Sequence, residues 1–152
     1  MSTQSFVYVT YIAATPEHVW QGITDGEFTK KYFFGRKVES HWQEGSAVRY
    51  LLEDGALDVS GKVLKIDPER LLSFTWEGEG DETPREFPTV VTFELKPMEG
   101  SVKLTLRHDH LQPGDFVQAD DTFAGLNNGW PAIISNLKSL LETGKTLPAV
   151  TV

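Results

Sequence analysis

The feature that most constrains this fold is one long amphipathic pattern near the C-terminus, over residues 125–144. Apolar residues recur there, and just before it, with the spacing of a helix, and they are Phe123, Leu126, Trp130, Ile133, Ile134, Leu137, Leu140 and Leu141. This spacing predicts a single helix with one broad apolar face that ends at Gly144. Because such a face must be buried, the rest of the chain has to provide a surface that covers it.

Most of the remaining chain predicts strands. A strand at residues 6–12 is followed by a short helix that begins at Thr15 and Pro16 and by a second helical turn over residues 27–34. About six strands follow between residues 36 and 110, separated by turns too short for helical crossovers, so they must form an antiparallel meander. The sequence therefore predicts an α+β fold in which a curved sheet wraps the C-terminal helix.

Composition narrows the classes of function. The chain has 152 residues, with 14 Lys and Arg against 22 Asp and Glu, which gives a net charge of −8 and disfavours nucleic-acid binding. It has no cysteine, which excludes disulfides, thiolate catalysis and cysteine-ligated zinc. No apolar run approaches the roughly 20 residues of a spanning helix, and the N-terminus lacks a secretory pattern. We expect a cytoplasmic protein without membrane insertion.

Several segments occur in an order that resembles a known superfamily. They are Ala14-Thr15-Pro16-Glu17-His18-Val19-Trp20, Thr24-Asp25-Gly26-Glu27-Phe28, Gly61-Lys62-Val63-Leu64-Lys65-Ile66-Asp67-Pro68, Leu72-Ser73-Phe74-Thr75-Trp76, Val91-Thr92-Phe93-Glu94-Leu95 and Gly129-Trp130-Pro131-Ala132-Ile133-Ile134. Together they resemble the START-like, Bet v 1-like superfamily. More narrowly, the chain is similar to the family named after the activator of the Hsp90 ATPase.

The resemblance implies one domain over residues 1–152 with a helix-grip fold. In that fold, a curved antiparallel sheet of about six or seven strands holds the long C-terminal helix, short helices lie near the N-terminus, and a cavity lies between sheet and helix. The resemblance does not imply one activity, because the superfamily includes lipid carriers, hormone receptors, polyketide cyclases and cochaperone domains.

Aromatic residues are the candidates for lining such a cavity. Strand alternation and helical spacing direct seven of them inward, namely Trp42, Tyr50, Phe74, Trp76, Phe93, Phe123 and Trp130. Phe33 and Phe34 follow a short helix where this type of fold has its cavity mouth, and the polar loop 78–88 is expected to open beside them. Core packing is the simpler interpretation of any single member, whereas the set predicts an apolar ligand site.

Two histidines are the candidates for chemistry. His108 and His110 are two positions apart on a predicted strand, so both imidazoles are expected on one face. Acid–base work is favoured over metal binding, because imidazole titrates near neutral pH. A metal site would need a third ligand, such as His41, and a His-x-His pair alone is weak evidence for one. We therefore expect neither a metal nor a cofactor, and we place His108 with the ligand-binding residues.

These observations predict a cytoplasmic protein that holds an apolar or aromatic small molecule between sheet and helix, as a monomer or weak homodimer. Two alternatives stay open at this stage. One is an enzyme of the polyketide cyclase or hydrolase type with His108 or His110 as the acid–base. The other is a protein-interaction module of the chaperone-regulator type.

Overall fold

The computed structural model describes residues 3–148, which form one sheet, three α-helices and a short 3₁₀ turn. The strands are β1 (Gln4–Ile12), β2 (Lys37–Ser40), β3 (Ala47–Leu51), β4 (Leu57–Asp67), β5 (Leu71–Gly78), β6 (Thr89–Met98) and β7 (Ser101–Leu111). The helices are α1 (Pro16–Thr24), α2 (Gly26–Tyr32) and α3 (Leu126–Thr143), and the 3₁₀ turn is Pro113–Asp115.

All seven strands belong to one antiparallel sheet in the order β1-β7-β6-β5-β4-β3-β2. Strands β2 to β7 form the predicted meander, and β1 joins it at the far edge beside β7. The sheet is curved around α3, with the short helices α1 and α2 between β1 and β2 in the chain. The predicted helix-grip fold is confirmed. No helix within residues 3–148 is long and apolar enough to span a membrane.

The helix ends follow the capping residues of the sequence. Thr15 Oγ1 accepts a hydrogen bond from the His18 amide at 3.1 Å and starts α1. The long helix begins after Gly125 and ends at Gly144, which has a left-handed backbone with φ of 81°. It continues through Pro131 without a break. The second helical turn, predicted to extend to residue 34, ends at Tyr32.

The C-terminal half of α3 is anchored to its neighbours by polar contacts. Lys138 Nζ donates to the Tyr11 carbonyl at 2.6 Å, and the Ala13 amide donates to Glu142 at 2.7 Å. The buried Asn136 donates to the Tyr32 carbonyl at 3.1 Å. These contacts tie the helix to β1 and α2, whereas its first turn borders the cleft described below.

Two local features differ from the sequence expectation. The sequence pattern predicts a strand over residues 36–42, but β2 ends at Ser40, because Trp42 has a positive φ of 53° and its indole Nε1 donates to the Thr24 carbonyl at 3.0 Å. Glycine within a strand pattern predicts a bulge at Gly61, but the bulge of β4 lies between Val63 and Lys65. Gly61 permits a close approach of β5, since a Cβ there would lie 1.7 Å from the Thr75 carbonyl oxygen.

Candidate functional site

An aromatic cluster fills the space between the sheet and α3. Neighbouring ring centroids lie 5.0 to 6.3 Å apart, and the members are Phe33, Tyr50, Phe74, Trp76, Phe93 and Trp130. Six of the ten residues proposed from the sequence as ligand-binding therefore meet in one place. They pack on one another, and no enclosed cavity is shown between sheet and helix within the described residues. That cavity remains a prediction.

An open cleft of about 230 Å³ reaches the edge of this cluster. We call it the mouth cleft, and its apolar walls are Phe33, Phe34, Trp76, Phe123, Leu126, Trp130 and Ile133. Phe34 and Phe123 face each other at its rim, with ring centroids 5.9 Å apart, and Phe123 is 38% exposed. Phe33 and Phe34, predicted to lie at a cavity mouth, both line this concavity, which the first turn of α3 borders.

One ion pair forms the polar wall of the mouth cleft. Arg36 Nε donates to Asp58 at 2.8 Å, and Arg36 Nη1 donates to the Phe34 carbonyl at 2.9 Å. The guanidinium also lies 5.9 Å from the centre of the Phe34 ring. Both charged side chains are partly buried and satisfy each other. Sequence reasoning missed this pair, because nothing local relates two residues on separate elements.

Asparagine side chains hold the wall that α3 contributes. Asn127 exchanges two hydrogen bonds with the Val117 backbone, at 2.9 Å to the amide and 2.8 Å to the carbonyl. Asn128 donates to the Ala124 carbonyl at 2.8 Å. Gly125, with φ of 85°, leaves no room for a Cβ, which would lie 2.7 Å from Val117. The segment that carries Phe123 is therefore fixed against the start of the helix.

His108 lies at the centre of a buried hydrogen-bond chain behind the cluster. Its Nδ1 accepts from Trp130 Nε1 at 3.0 Å, and its Nε2 lies 2.9 Å from Thr89 Oγ1. The Thr89 hydroxyl donates its proton to the Trp76 carbonyl at 2.6 Å. Because that hydroxyl has only one proton, it must accept from His108, which fixes the imidazole as the neutral tautomer protonated at Nε2.

Burial lowers the pKa of His108 to about 4, because the charged imidazolium is poorly solvated in this interior. Nearby charges act in opposite directions, with Asp115 raising the pKa and Arg85 lowering it. Both ring nitrogens are occupied by protein groups, and the side chain is fully buried. His108 therefore sets the orientation of Trp130, and sequence reasoning did not foresee its partner Thr89.

His110 does not join His108 on the same face. Between the pairs Gln4–Leu111 and Phe6–His108, β1 advances two residues while β7 advances three, so β7 contains a bulge there. His110 has a positive φ of 67° within it and lies against Phe87, with ring centroids 5.8 Å apart. The expectation of a shared face was wrong, because the bulge breaks the alternation of the strand.

The loop 78–88, which the sequence predicts to open beside Phe33 and Phe34, is pinned by side-chain hydrogen bonds. Arg85 binds Asp115 through two hydrogen bonds of 2.7 and 2.9 Å and also binds Asp81 at 3.1 Å. No residue of this loop lines the mouth cleft. The loop instead encloses a second cleft of about 250 Å³, which we call the loop cleft, and Trp76 is a wall of both clefts.

Larger open grooves lie outside the aromatic cluster. One of about 570 Å³ lies beside α2 and is lined by Lys30, Lys31 and Lys37, and one of about 660 Å³ is lined by Trp20 and Trp42. Trp42, proposed from the sequence as a cavity residue, therefore belongs to this second groove. Within residues 3–148, no three side chains of His, Cys, Asp or Glu are grouped to hold a metal ion.

The family model described as "Activator of Hsp90 ATPase homolog 1-like protein" matches residues 13–142. The chain belongs to this family. The match includes every wall residue of the mouth cleft as well as His108 and Thr89. The sequence-based resemblance is therefore confirmed. No curated protein matches the chain.

Solved structures share the family's fold over nearly the whole chain. A protein from Mesorhizobium loti is 23% identical with a TM-score of 0.73, covering 91% of this chain and 96% of its own. The Aha1 dimer of Colwellia psychrerythraea is 22% identical with a TM-score of 0.71, covering 93% and 98%. An HSP90 activator from Plasmodium falciparum is 19% identical with a TM-score of 0.68, covering 90% and 95%. At these identities, the likeness concerns the fold alone.

Proposed function

We propose that this protein binds an apolar aromatic small molecule in the mouth cleft. The observation that carries the proposal is an open concavity whose walls include seven apolar side chains, five of them aromatic, at the edge of the aromatic cluster. Aromatic walls favour a flat ligand that stacks against them. The volume of about 230 Å³ lies below that of drug-sized pockets, which favours a ligand of two or three fused rings.

The composition and the fold support this proposal in different ways. A helix-grip fold places a long helix over a curved sheet, and the mouth cleft opens where the first turn of that helix meets Phe34. The cysteine-free, acidic chain suits a cytoplasmic location, which is part of the proposal. The proposal involves no metal and no cofactor, since the Arg36–Asp58 pair is internally neutralised and the other walls are apolar.

A cleft-filling substitution tests the proposal. Leu126→Trp places a larger side chain at the cleft wall, whereas Leu140→Trp makes the same change at a half-buried site near the other end of α3. We expect fluorene, a flat tricyclic hydrocarbon, to bind the wild-type chain and Leu140→Trp, and to lose at least tenfold in affinity for Leu126→Trp. Failure of fluorene to bind the wild type, or equal binding to both variants, would refute the site.

The acid–base alternative receives no support from the geometry of His108. An acid–base residue must reach a substrate proton, whereas both nitrogens of His108 are occupied by Trp130 and Thr89. His110 is less buried, but it lies within the bulge beside Phe87 and borders neither the aromatic cluster nor the mouth cleft. The ligand-binding proposal does not require a reaction.

A second candidate function is protein interaction, which an exposed apolar stripe on β1 favours. Val7, Val9 and Tyr11 are 48%, 44% and 49% exposed on this edge strand. We propose a second copy of this chain as the occupant, as one structural relative is described as a dimer. We expect Val9→Lys to abolish a concentration-dependent dimer in sedimentation equilibrium, and Leu64→Lys on β4 to leave it unchanged. A strictly monomeric wild-type chain would exclude this candidate.

A further inference from the structure

The interior tryptophans differ in how their indole N–H groups are satisfied. Trp42 donates to the Thr24 carbonyl and Trp130 donates to His108. Trp76 Nε1 has no hydrogen-bond partner within residues 3–148, although the ring is partly buried. Among the described residues, no fully buried side-chain nitrogen or oxygen lacks a partner. The N–H of Trp76 therefore reaches solvent beside the aromatic cluster.

Trp76 is held in place by its neighbours. Its ring centre lies 5.1 Å from Tyr50, 5.2 Å from Trp130, 5.9 Å from His108 and 6.0 Å from Phe33. A ring packed on several sides cannot turn to find another acceptor without breaking these contacts. Trp76 lines both the mouth cleft and the loop cleft, and its indole N–H is thus a donor held in a fixed position beside them.

The charged groups of the mouth cleft each have a partner within the protein. Arg36 and Asp58 satisfy each other, and Arg36 also donates to the Phe34 carbonyl. An indole nitrogen can donate a hydrogen bond but cannot accept one. A ligand that covers Trp76 without offering an acceptor would leave the N–H unsatisfied, which lowers affinity.

We propose that Trp76 determines the specificity of the ligand site by donating its indole N–H to a ligand oxygen. The ligand class is then a flat apolar frame with a carbonyl or ether oxygen on its edge. This inference rests on the proposed function, because it needs a ligand in the mouth cleft. It adds the requirement for an acceptor, which the apolar walls alone do not impose.

A matched pair of probes tests the inference. Fluorene and 9-fluorenone share a tricyclic frame, and only 9-fluorenone carries a carbonyl oxygen. We expect the wild-type chain to bind 9-fluorenone about fivefold more tightly than fluorene, the size of one neutral hydrogen bond. Trp76→Phe should bind both probes equally. Trp20→Phe, the same change at a half-buried tryptophan outside both clefts, should keep the preference.

Nuclear magnetic resonance of the wild-type chain gives a readout that does not depend on a variant folding. In ¹⁵N-labelled protein, 9-fluorenone should move the Trp76 indole proton downfield, and fluorene should not. Equal wild-type affinities for the two probes, a preference retained in Trp76→Phe, or a Trp76 signal indifferent to bound 9-fluorenone would overturn the inference and leave the proposed function standing. If fluorene does not bind the wild type, the proposed function itself fails.

Discussion

At the scale of single residues, His108 is the group whose protonation matters most for the interior. Its Nδ1 accepts from Trp130, so a proton added there would face another donor in a buried environment. The low folded-state pKa of about 4 follows from this burial, against 6.5 for an exposed histidine. The orientation of Trp130 thus depends on an imidazole that stays neutral.

A pH dependence of stability follows from this difference in pKa. Between about pH 6.5 and pH 4 the unfolded chain binds a proton at His108 and the folded chain does not. The contribution of neutral His108 to the free energy of unfolding should therefore be complete above pH 6.5. The free energy of unfolding should fall by about 3 kcal/mol as the pH drops to 4. Urea unfolding at pH 7.0, 6.0, 5.0 and 4.5 measures this loss.

His108→Gln provides the control for that series. Glutamine retains one donor and one acceptor but does not titrate, so the variant should lose most of the slope between pH 6.5 and 4.5 even if it is less stable at pH 7. The carboxylates with lowered pKa, among them Asp81 and Asp115, lose their stabilising effect at lower pH. An identical slope in wild type and variant would contradict the prediction.

At the scale of elements, the loop 78–88 depends on one side chain. Arg85 is the only residue of the loop with charged hydrogen bonds to the 3₁₀ turn in the described structure, through Asp115. We expect Arg85→Ala to raise amide hydrogen exchange in residues 78–88 at least tenfold, because the pinned loop becomes free to open. Exchange in the core strands should change little.

The matched control is Arg49→Ala. Its ion pair with Glu39 is largely exposed on both sides, and pairs of that kind stabilise proteins weakly. Exchange in β3 should therefore remain as in the wild type. A loop that stays equally protected without Arg85 would mean that its backbone contacts alone hold it closed.

The close approach of β4 and β5 depends on Gly61. A Cβ at this position would lie 1.7 Å from the Thr75 carbonyl oxygen, so both backbones would have to separate. We expect Gly61→Ala to lower the free energy of unfolding by about 1–3 kcal/mol or more in urea unfolding. Gly114→Ala is the comparison, since a Cβ there meets nothing within 4 Å, and an equal loss in both variants would count against the explanation.

Sequence reasoning located the elements because their signals are local. Alternation along β7 and helical spacing along α3 are visible within a few residues. Thr15 marks the start of α1, and Gly144 marks the end of α3. It also predicted that most members of the aromatic cluster face inward, as Phe74 and Phe93 do on adjacent strands. The sheet has seven strands, the upper value of the predicted six or seven.

The features that the sequence did not predict depend on pairing between distant residues. The bulge that removes His110 from the inner face arises where β7 pairs with β1, about a hundred positions away in the chain. Arg85 reaches Asp115 across 30 positions, and Arg36 reaches Asp58 across 22. No local pattern distinguishes these charged residues from solvated ones. The pinned loop and the polar wall of the mouth cleft could therefore be identified only from the structure.

At the scale of the whole molecule, sheet and helices share one apolar core. Its buried members come from all three helices and from all seven strands, with Trp130 of α3 in contact with Phe33, Trp76 and Phe93. Neither the sheet nor α3 can bury its apolar face alone. The proposed ligand site lies at the edge of this shared core, and Phe123 forms its exposed rim.

Removing the central ring of that core should destabilise the whole molecule in one step. Trp130 is 1% exposed, and its replacement by alanine leaves a cavity and an unpaired acceptor on His108. We expect Trp130→Ala to lower the free energy of unfolding by about 3–5 kcal/mol. Far-ultraviolet circular dichroism and the fluorescence of the remaining tryptophans should report one coincident urea transition, as one core implies. Separate transitions would show that helix and sheet unfold independently. A loss below about 1 kcal/mol would show that Trp130 lines open space.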